Sequence, residues 1–104
     1  MRVFISQAMR GLTDQEILET REAAIRYAKS SIGLAEGDKI EIIDSFFQSA
    51  PADVNPLWFL GKSLELLSVA DVCVFVGDWE SARGCQIEHE CCVKYGIPRI
   101  YFKL

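Results

Sequence analysis

A carboxylate within an apolar helix face is the first feature of this sequence that could do chemistry. The segment from Gly84 to Tyr95 is predicted to be a helix, and one of its faces carries Glu88, Cys91, Cys92 and Tyr95, at i, i+3, i+4 and i+7. A carboxylate that faces the packed side can act as a nucleophile or a general base. The alternative is an ordinary, half-exposed helix glutamate.

The turn that precedes this helix carries further polar and aromatic groups. It follows the apolar run Val72 to Val76, which is typical of a buried strand. The candidate binding residues of the turn are Asp78, Trp79, Ser81, Arg83 and Gly84. The ring of Trp79 is predicted to stack on a base or to cover the sheet end as a hydrophobic lid. Stacking is favoured because Arg83 lies one helical turn away.

The loop after the first strand offers a second set of candidates. The strand is predicted over Arg2 to Ser6, and the loop from Ser6 to Gly11 leads to the first helix. Its candidate residues are Ser6, Gln7, Met9, Arg10 and Gly11. A position between a strand and a helix N-terminus suits a phosphate or sugar hydroxyls. With no glycine-rich phosphate-binding motif in the loop, an ordinary loop arginine is the alternative for Arg10.

The remaining elements follow from caps and periodicity. Thr13 and Glu16 form a capping box, and the helix after it is predicted to pack through Ile17, Ala24, Ala28 and Ile32, with Arg21 elsewhere. A second strand is predicted over Lys39 to Ile43. A second helix, from Pro56 to about Val69, is predicted to pack through Leu57, Leu60, Leu64 and Leu67. The last strand is predicted to begin at Arg99.

Strands that alternate with helices predict one α/β domain over residues 1–104. We expect a three-layer α/β/α arrangement around a four-stranded parallel sheet of order 2-1-3-4, with right-handed crossovers. Strands 1 and 3 then lie at the centre. Their C-terminal ends bring the loop after Ser6 and the turn before Gly84 to one crevice, where such sheets bind ligands.

Composition limits the partners and the cofactors. A net charge of −4 without a basic run argues against binding to a nucleic-acid polymer, and no apolar run is long enough to span a membrane. The four cysteines lack the spacing of a zinc site or a redox pair. Cys85, His89 and Cys92 lie on one helix and cannot easily surround one metal ion. We therefore expect no metal, no cofactor and a reduced, cytoplasmic protein.

Several short motifs carry a resemblance to a known family. They are Phe4-Ile5-Ser6 with Met9-Arg10-Gly11, Ala70-Asp71-Val72, Gly84-x-x-x-Glu88, and Tyr95-Gly96-Ile97-Pro98. In these, the chain resembles the nucleoside 2-deoxyribosyltransferase-like proteins, most of all a small bacterial and phage branch. The resemblance spans nearly the whole chain. It implies a flavodoxin-like (Rossmann-like) fold and cleavage or exchange of the N-glycosidic bond of a nucleoside or its 5′-monophosphate.

The resemblance also implies roles for individual residues. Glu88 is the expected nucleophile that attacks C1′ of the sugar, as in retaining glycosidases. Arg10 and Gly11 are expected to hold a 5′-phosphate. Our hypothesis adds Arg83 for the phosphate or sugar, and Trp79 with Phe46 or the adjacent Phe47 for the base. In the relatives a neighbouring subunit completes the pocket, so a homodimer or larger homo-oligomer is expected here.

One departure from the family pattern concerns the proton donor. The relatives carry an aspartate about eight residues before the Ala-Asp pair, where this chain has Ser63. A serine is a poor general acid near neutral pH. Asp44 after strand 2 and Asp78 after strand 3 are the carboxylates within possible reach of the pocket. A second hypothesis is therefore a non-catalytic protein that senses or sequesters a nucleotide or a nucleotide-derived signal. A third is a structural or partner-binding α/β domain whose pocket is vestigial.

Overall fold

One parallel sheet of four strands forms the centre of the protein. The computed structural model describes residues 1–8, 11–32, 39–44 and 55–103. The strands are β1 (Arg2–Ser6), β2 (Glu41–Ile42), β3 (Val72–Val76) and β4 (Arg99–Phe102). They are ordered β2-β1-β3-β4, and β1 pairs with β3 so that Ser6 lies opposite Phe75. The predicted parallel α/β fold and its strand order are confirmed.

Strand β2 is shorter than the sequence predicts. It keeps two residues, and its side chains are exposed at Glu41 and half-buried at Ile42. Backbone hydrogen bonds continue beyond it, since the amide of Ile43 donates to the carbonyl of Val3 at 2.9 Å. The strand lies at the edge of the sheet, and its ladder with β1 pairs Arg2 with Glu41 and Val3 with Ile42.

Three helices connect the strands, and their caps explain their ends. They are α1 (Asp14–Ser31), α2 (Pro56–Leu67) and α3 (Arg83–Tyr95). The hydroxyl of Thr13 accepts from the amide of Glu16 at 3.1 Å, as the capping box predicts. The side chain of Asn55 likewise accepts from the amide of Trp58 at 3.0 Å. Helix α3 ends at Gly96, whose φ of 71° is the left-handed conformation that favours glycine.

Two hydrophobic clusters use alternate residues of the central strands. The first joins Val3, Ile5, Val72, Val74 and Val76 to Ala24 and Ala28 of α1. The second joins Phe4, Cys73 and Phe75 to Leu67 of α2 and Cys92 of α3. Alternate residues of a strand point to opposite faces of the sheet. Helix α1 therefore packs on one face, while α2 and α3 contribute to the core on the other.

Three side chains depart from their predicted burial. Leu57 is 72% exposed and Tyr95 is 82% exposed, although helical spacing predicts that both belong to the packed face of their helix. Both lie in the terminal turn of a helix, where periodicity continues but neighbouring elements no longer cover the side chain. Arg21 was placed away from the packed side and is instead buried. It lies four residues after Ile17 and three before Ala24, which puts it on their face.

Within the described ranges, none of the helices combines the length and the apolar character needed to cross a bilayer.

Candidate functional site

A buried hydrogen bond between Ser6 and Glu88 lies at the C-terminal end of β1. The hydroxyl of Ser6 donates to Oε1 of Glu88 at 2.9 Å. Glu88 belongs to the second turn of α3 and is only 6% exposed, and Ser6 is fully buried. The predicted placement of this carboxyl on the packed side of the helix is therefore correct. The helix face that carries it consists of Cys85, Glu88 and Cys92, with Tyr95 outside it.

Burial changes the acidity of this carboxyl. It raises the pKa of Glu88 to about 7, because a charged carboxylate loses its hydration there. The hydrogen bond from Ser6 favours the charged form and opposes this shift. Near neutral pH the group is thus present in both protonation states. A carboxyl with such a pKa can take up or release a proton under physiological conditions.

The thiol of Cys85 lies beside the same pair. Cys85 is buried one turn before Glu88, and burial raises the pKa of its thiol to about 11, while a hydrogen bond with Ser6 opposes the rise. The thiolate is the reactive form of cysteine, so this group is unreactive near neutral pH. Ser6 therefore contacts both groups, and Glu88 is the one that can ionise.

A pocket of about 190 Å³ lies beside the ends of β1 and β3. Its described lining residues are Gln7, Ala8, Leu12, Thr20, Val76, Asp78 and Ser81. Three residues predicted from two separate segments, Gln7 from the first loop and Asp78 and Ser81 from the turn before α3, thus line one pocket. Glu88 is not among these lining residues. The described lining of this pocket therefore leaves out the buried carboxyl, although the sequence predicts that both belong to one crevice.

The polar groups of the pocket differ in how well they are satisfied. The amide nitrogen of Gln7 donates to the carbonyl of Ile17 at 3.1 Å, but its Oε1 is buried without a hydrogen-bond partner. Ser81 donates from its hydroxyl to the backbone carbonyl of Asp78 at 2.8 Å, and Asp78 is exposed. The pocket thus offers hydrogen-bond acceptors.

Trp79 has a different environment from the pocket. Its ring stacks on His89 with centroids 4.3 Å apart, and it lies 5.1 Å from the ring of Phe75. His89 in turn lies 2.8 Å from the hydroxyl of Tyr101 through Nε2. Trp79 also packs against the core cluster that contains Phe75. One face of the indole is thus occupied, which fits a lid over the sheet end better than a platform for a base.

The ring contact of His89 also bears on the metal hypothesis. Cys85 and Cys92 are buried against the sheet, whereas His89 turns towards Trp79. Within the described part of the chain, no group of three His, Cys, Asp or Glu side chains is placed to hold a metal ion.

Asp44 lies near a buried cation rather than in the pocket. The guanidinium of Arg21 donates to the carbonyl of Ile43 at 2.7 Å. Burial lowers the pKa of Arg21, and the charge of Asp44 opposes this shift. Asp44 is exposed. Its electrostatic partner is Arg21, which the sequence predicts to lie away from the packed side of α1. Of Asp44 and Asp78, Asp78 is the one that lines the pocket.

The other predicted residues fall in several places. Gly11 is exposed with a φ of 82°. Arg83 is exposed at the start of α3, and Gly84 follows it with open space around the position of a Cβ atom. Ser63 is half-buried in α2. Met9, Arg10, Phe46 and Phe47 lie outside the described residues.

Some pocket residues were not singled out from the sequence. Thr20 lies three residues after Ile17 and four before Ala24, so the spacing that marks the packed face of α1 could have found it. Ala8 and Leu12 belong to or adjoin a loop without regular periodicity, so no such signal marks them. Val76 is predicted from its apolar run to be a core residue. As the last residue of β3 it also lines the pocket.

Comparison with known proteins adds no assignment. The chain matches no protein-family model, no curated protein and no solved structure.

The raised pKa of Glu88 predicts how stability depends on pH. The folded state binds the Glu88 proton more tightly than the unfolded state, whose carboxyl has its ordinary pKa near 4.5. This contribution is complete below about pH 4.5 and is lost as pH rises through 7, a difference of about 3 kcal/mol. Urea unfolding of the wild type and Glu88→Gln across this range should show the loss in the wild type only.

The matched control for this experiment is Glu90→Gln. Glu90 is exposed and forms a salt bridge with Lys94 at 3.2 Å, and surface pairs of this kind contribute little. Its pH profile should follow the wild type. Equal pH profiles for the wild type and Glu88→Gln would contradict the buried, proton-binding carboxyl.

Proposed function

We propose that the protein binds a nucleoside or its 5′-monophosphate and cleaves or transfers its N-glycosidic bond, with Glu88 as the nucleophile. The observation that carries the proposal is the buried carboxyl of Glu88, held by Ser6 at the end of β1 with a pKa of about 7. It lies at the carboxyl edge of a parallel sheet, where such folds place their ligands. The motifs shared with the deoxyribosyltransferase-like proteins support the choice of substrate.

The chemistry proceeds in two steps. An oxygen of the ionised Glu88 carboxylate bonds to C1′ of the sugar as the bond between C1′ and the base nitrogen breaks. The electron pair of that bond leaves with the base, which takes up a proton. Water or a second base then attacks C1′ and releases Glu88, which is the two-step course of retaining glycosidases. Asp78 in its protonated form is our candidate for the donor of this proton, because the residue lines the pocket.

Binding without catalysis is the second candidate function. Two observations favour it. Glu88 is 6% exposed and does not line the pocket, so a substrate must open a path to it. Ser63 stands where the relatives carry their proton-donating aspartate. Under this alternative the protein senses or sequesters a nucleotide without breaking it.

The proposed setting is the cytoplasm, with copies of the chain associated as a homodimer or larger homo-oligomer. Helix α2 supports association, because its sequence is mostly apolar while Leu67 is its one buried residue among those described. Leu57→Lys should reduce the mass measured by light scattering, since Leu57 is largely exposed on this helix. Leu18→Lys is the control, an exposed leucine of α1. A monomeric wild type at micromolar concentration would contradict this proposal.

Release of free base is the direct test of the proposed reaction. Wild-type protein incubated with nucleosides and their 5′-monophosphates should liberate base, measured by chromatography. Glu88→Gln and Glu88→Ala should reduce the rate by about 10³-fold or more, as expected when a covalent nucleophile is removed. Glu90→Gln should retain the wild-type rate. A ligand that raises the melting temperature and is recovered intact would instead establish the binder.

The pH dependence of that rate tests the role of Ser6. The nucleophile must be ionised, so kcat/KM should rise with pH and level off above about 7. Ser6→Ala removes the hydrogen bond that favours the ionised form, so the midpoint of the rise should move to higher pH. Ser31→Ala, an exposed serine of α1, should leave it unchanged. An unshifted midpoint in Ser6→Ala would show that Ser6 does not tune Glu88.

A further inference from the structure

We propose that the pocket beside Gln7 is a subsite for an amino-substituted nucleobase. The inference rests on the proposed function in taking the ligand to be a nucleoside. Under this proposal the base lies on the side of the sheet that faces α1. It lies away from Trp79, the residue that the sequence predicts to stack on the base.

The side-chain oxygen of Gln7 is buried without a partner. Gln7 is 7% exposed, and its amide nitrogen is held by the carbonyl of Ile17. That bond fixes the orientation of the amide, because a flipped amide would set two oxygens against each other. Oε1 is thus an acceptor shielded from water, and buried groups of this kind are nearly always hydrogen bonded. A ligand that supplies an N–H donor would satisfy it.

The other lining groups agree with a ligand that donates. Asp78 contributes a carboxylate, and the hydroxyls of Thr20 and Ser81 can accept. Among the lining residues that the structure describes there is no lysine or arginine. The carboxylate of Asp78 in this lining disfavours a phosphate, because like charges repel.

The apolar part of the lining favours a base over a sugar. Leu12 and Val76 line the same pocket, and a nucleobase offers flat apolar faces together with polar groups at its edge. A sugar carries hydroxyls around its whole ring and would leave several of them against these side chains. An exocyclic amine directed to Gln7 is thus the arrangement that satisfies both kinds of surface.

The position of the pocket also fits a nucleoside that spans the end of β1. Ser6 contacts Glu88 of α3, whereas the next residue, Gln7, contacts Ile17 of α1. The two side chains therefore lie on opposite sides of the strand end. A ligand lying across this end places its base at Gln7 and its sugar towards Glu88.

The test compares two ligands that differ by one amino group. Adenosine and purine riboside share the ring and the sugar, and purine riboside lacks the exocyclic amine. Calorimetry on the wild-type protein should give about tenfold or more tighter binding of adenosine, because a buried acceptor left unpaired weakens the complex with purine riboside. Equal affinities, or no binding of either ligand at millimolar concentration, would overturn the proposal.

A variant then connects this preference to Gln7. Gln7→Met keeps the length of the side chain and removes its acceptor, so the two ligands should bind it with similar affinity. Gln15→Met, an exposed glutamine of the same region, should keep the wild-type preference. If Gln7→Met does not fold, the ratio of the wild-type affinities for adenosine and purine riboside still tests the pocket. Asp78→Asn then tests whether the carboxylate of Asp78 contributes to that ratio. A preference for adenosine that survives Gln7→Met in a folded protein would exclude Gln7 as its source.

Binding and reaction are measured separately, so the two proposals can fail independently. Chromatography of each calorimetry sample shows whether the nucleoside stays intact, and Glu88→Gln provides a ligand-preserving background. A preference that depends on Gln7 without base release would support the subsite and contradict the proposed reaction. Base release that depends on Glu88, with equal binding of adenosine and purine riboside, would support the proposed reaction and contradict the subsite.

Discussion

The hydrogen bond between Ser6 and Glu88 joins the first strand to the last helix over 82 residues of sequence. It connects two elements that pack on each other at the sheet end, and it holds a carboxyl where water is excluded. A single neutral donor does not offset the loss of hydration of a carboxylate, which is why the pKa of Glu88 remains near 7. Arg83, the nearest cation in the sequence, is exposed, and the carboxyl keeps its capacity to exchange a proton at neutral pH.

The hydrogen bond between Ser6 and Glu88 belongs to a group of buried polar side chains at one edge of the sheet. In the described part of the chain, the buried polar or charged residues are Ser6, Gln7, Arg21 and Glu88. All lie near the carboxyl ends of β1 and β2, since Arg21 donates to Ile43 just beyond β2. The rest of the core is apolar. Burial of polar groups is unfavourable for folding, and their concentration at one edge is characteristic of a functional site.

Much of this architecture follows from local patterns. The strand order and the packed position of Glu88 could be predicted, because β-α alternation and helical spacing are regular signals. Leu57 and Tyr95 were predicted wrongly because periodicity does not report where neighbouring elements end. Arg21 has the spacing of the buried face of α1, but its charge favours a prediction of exposure, which is wrong here. Its aliphatic stem and guanidinium can be buried because carbonyl acceptors are near.

The pocket was harder to predict because it depends on which neighbours each loop residue acquires. Gln7 and Asp78 were selected for their loops, yet nothing in the sequence shows that Glu88 lies apart from the pocket they line. That separation arises at the end of β1, where Ser6 contacts α3 and Gln7 contacts α1. A shift of one residue in the strand would exchange the two faces, bringing the amide to Glu88 and the hydroxyl to α1. The register of β1 against β3 therefore determines which chemistry each side of the site can perform.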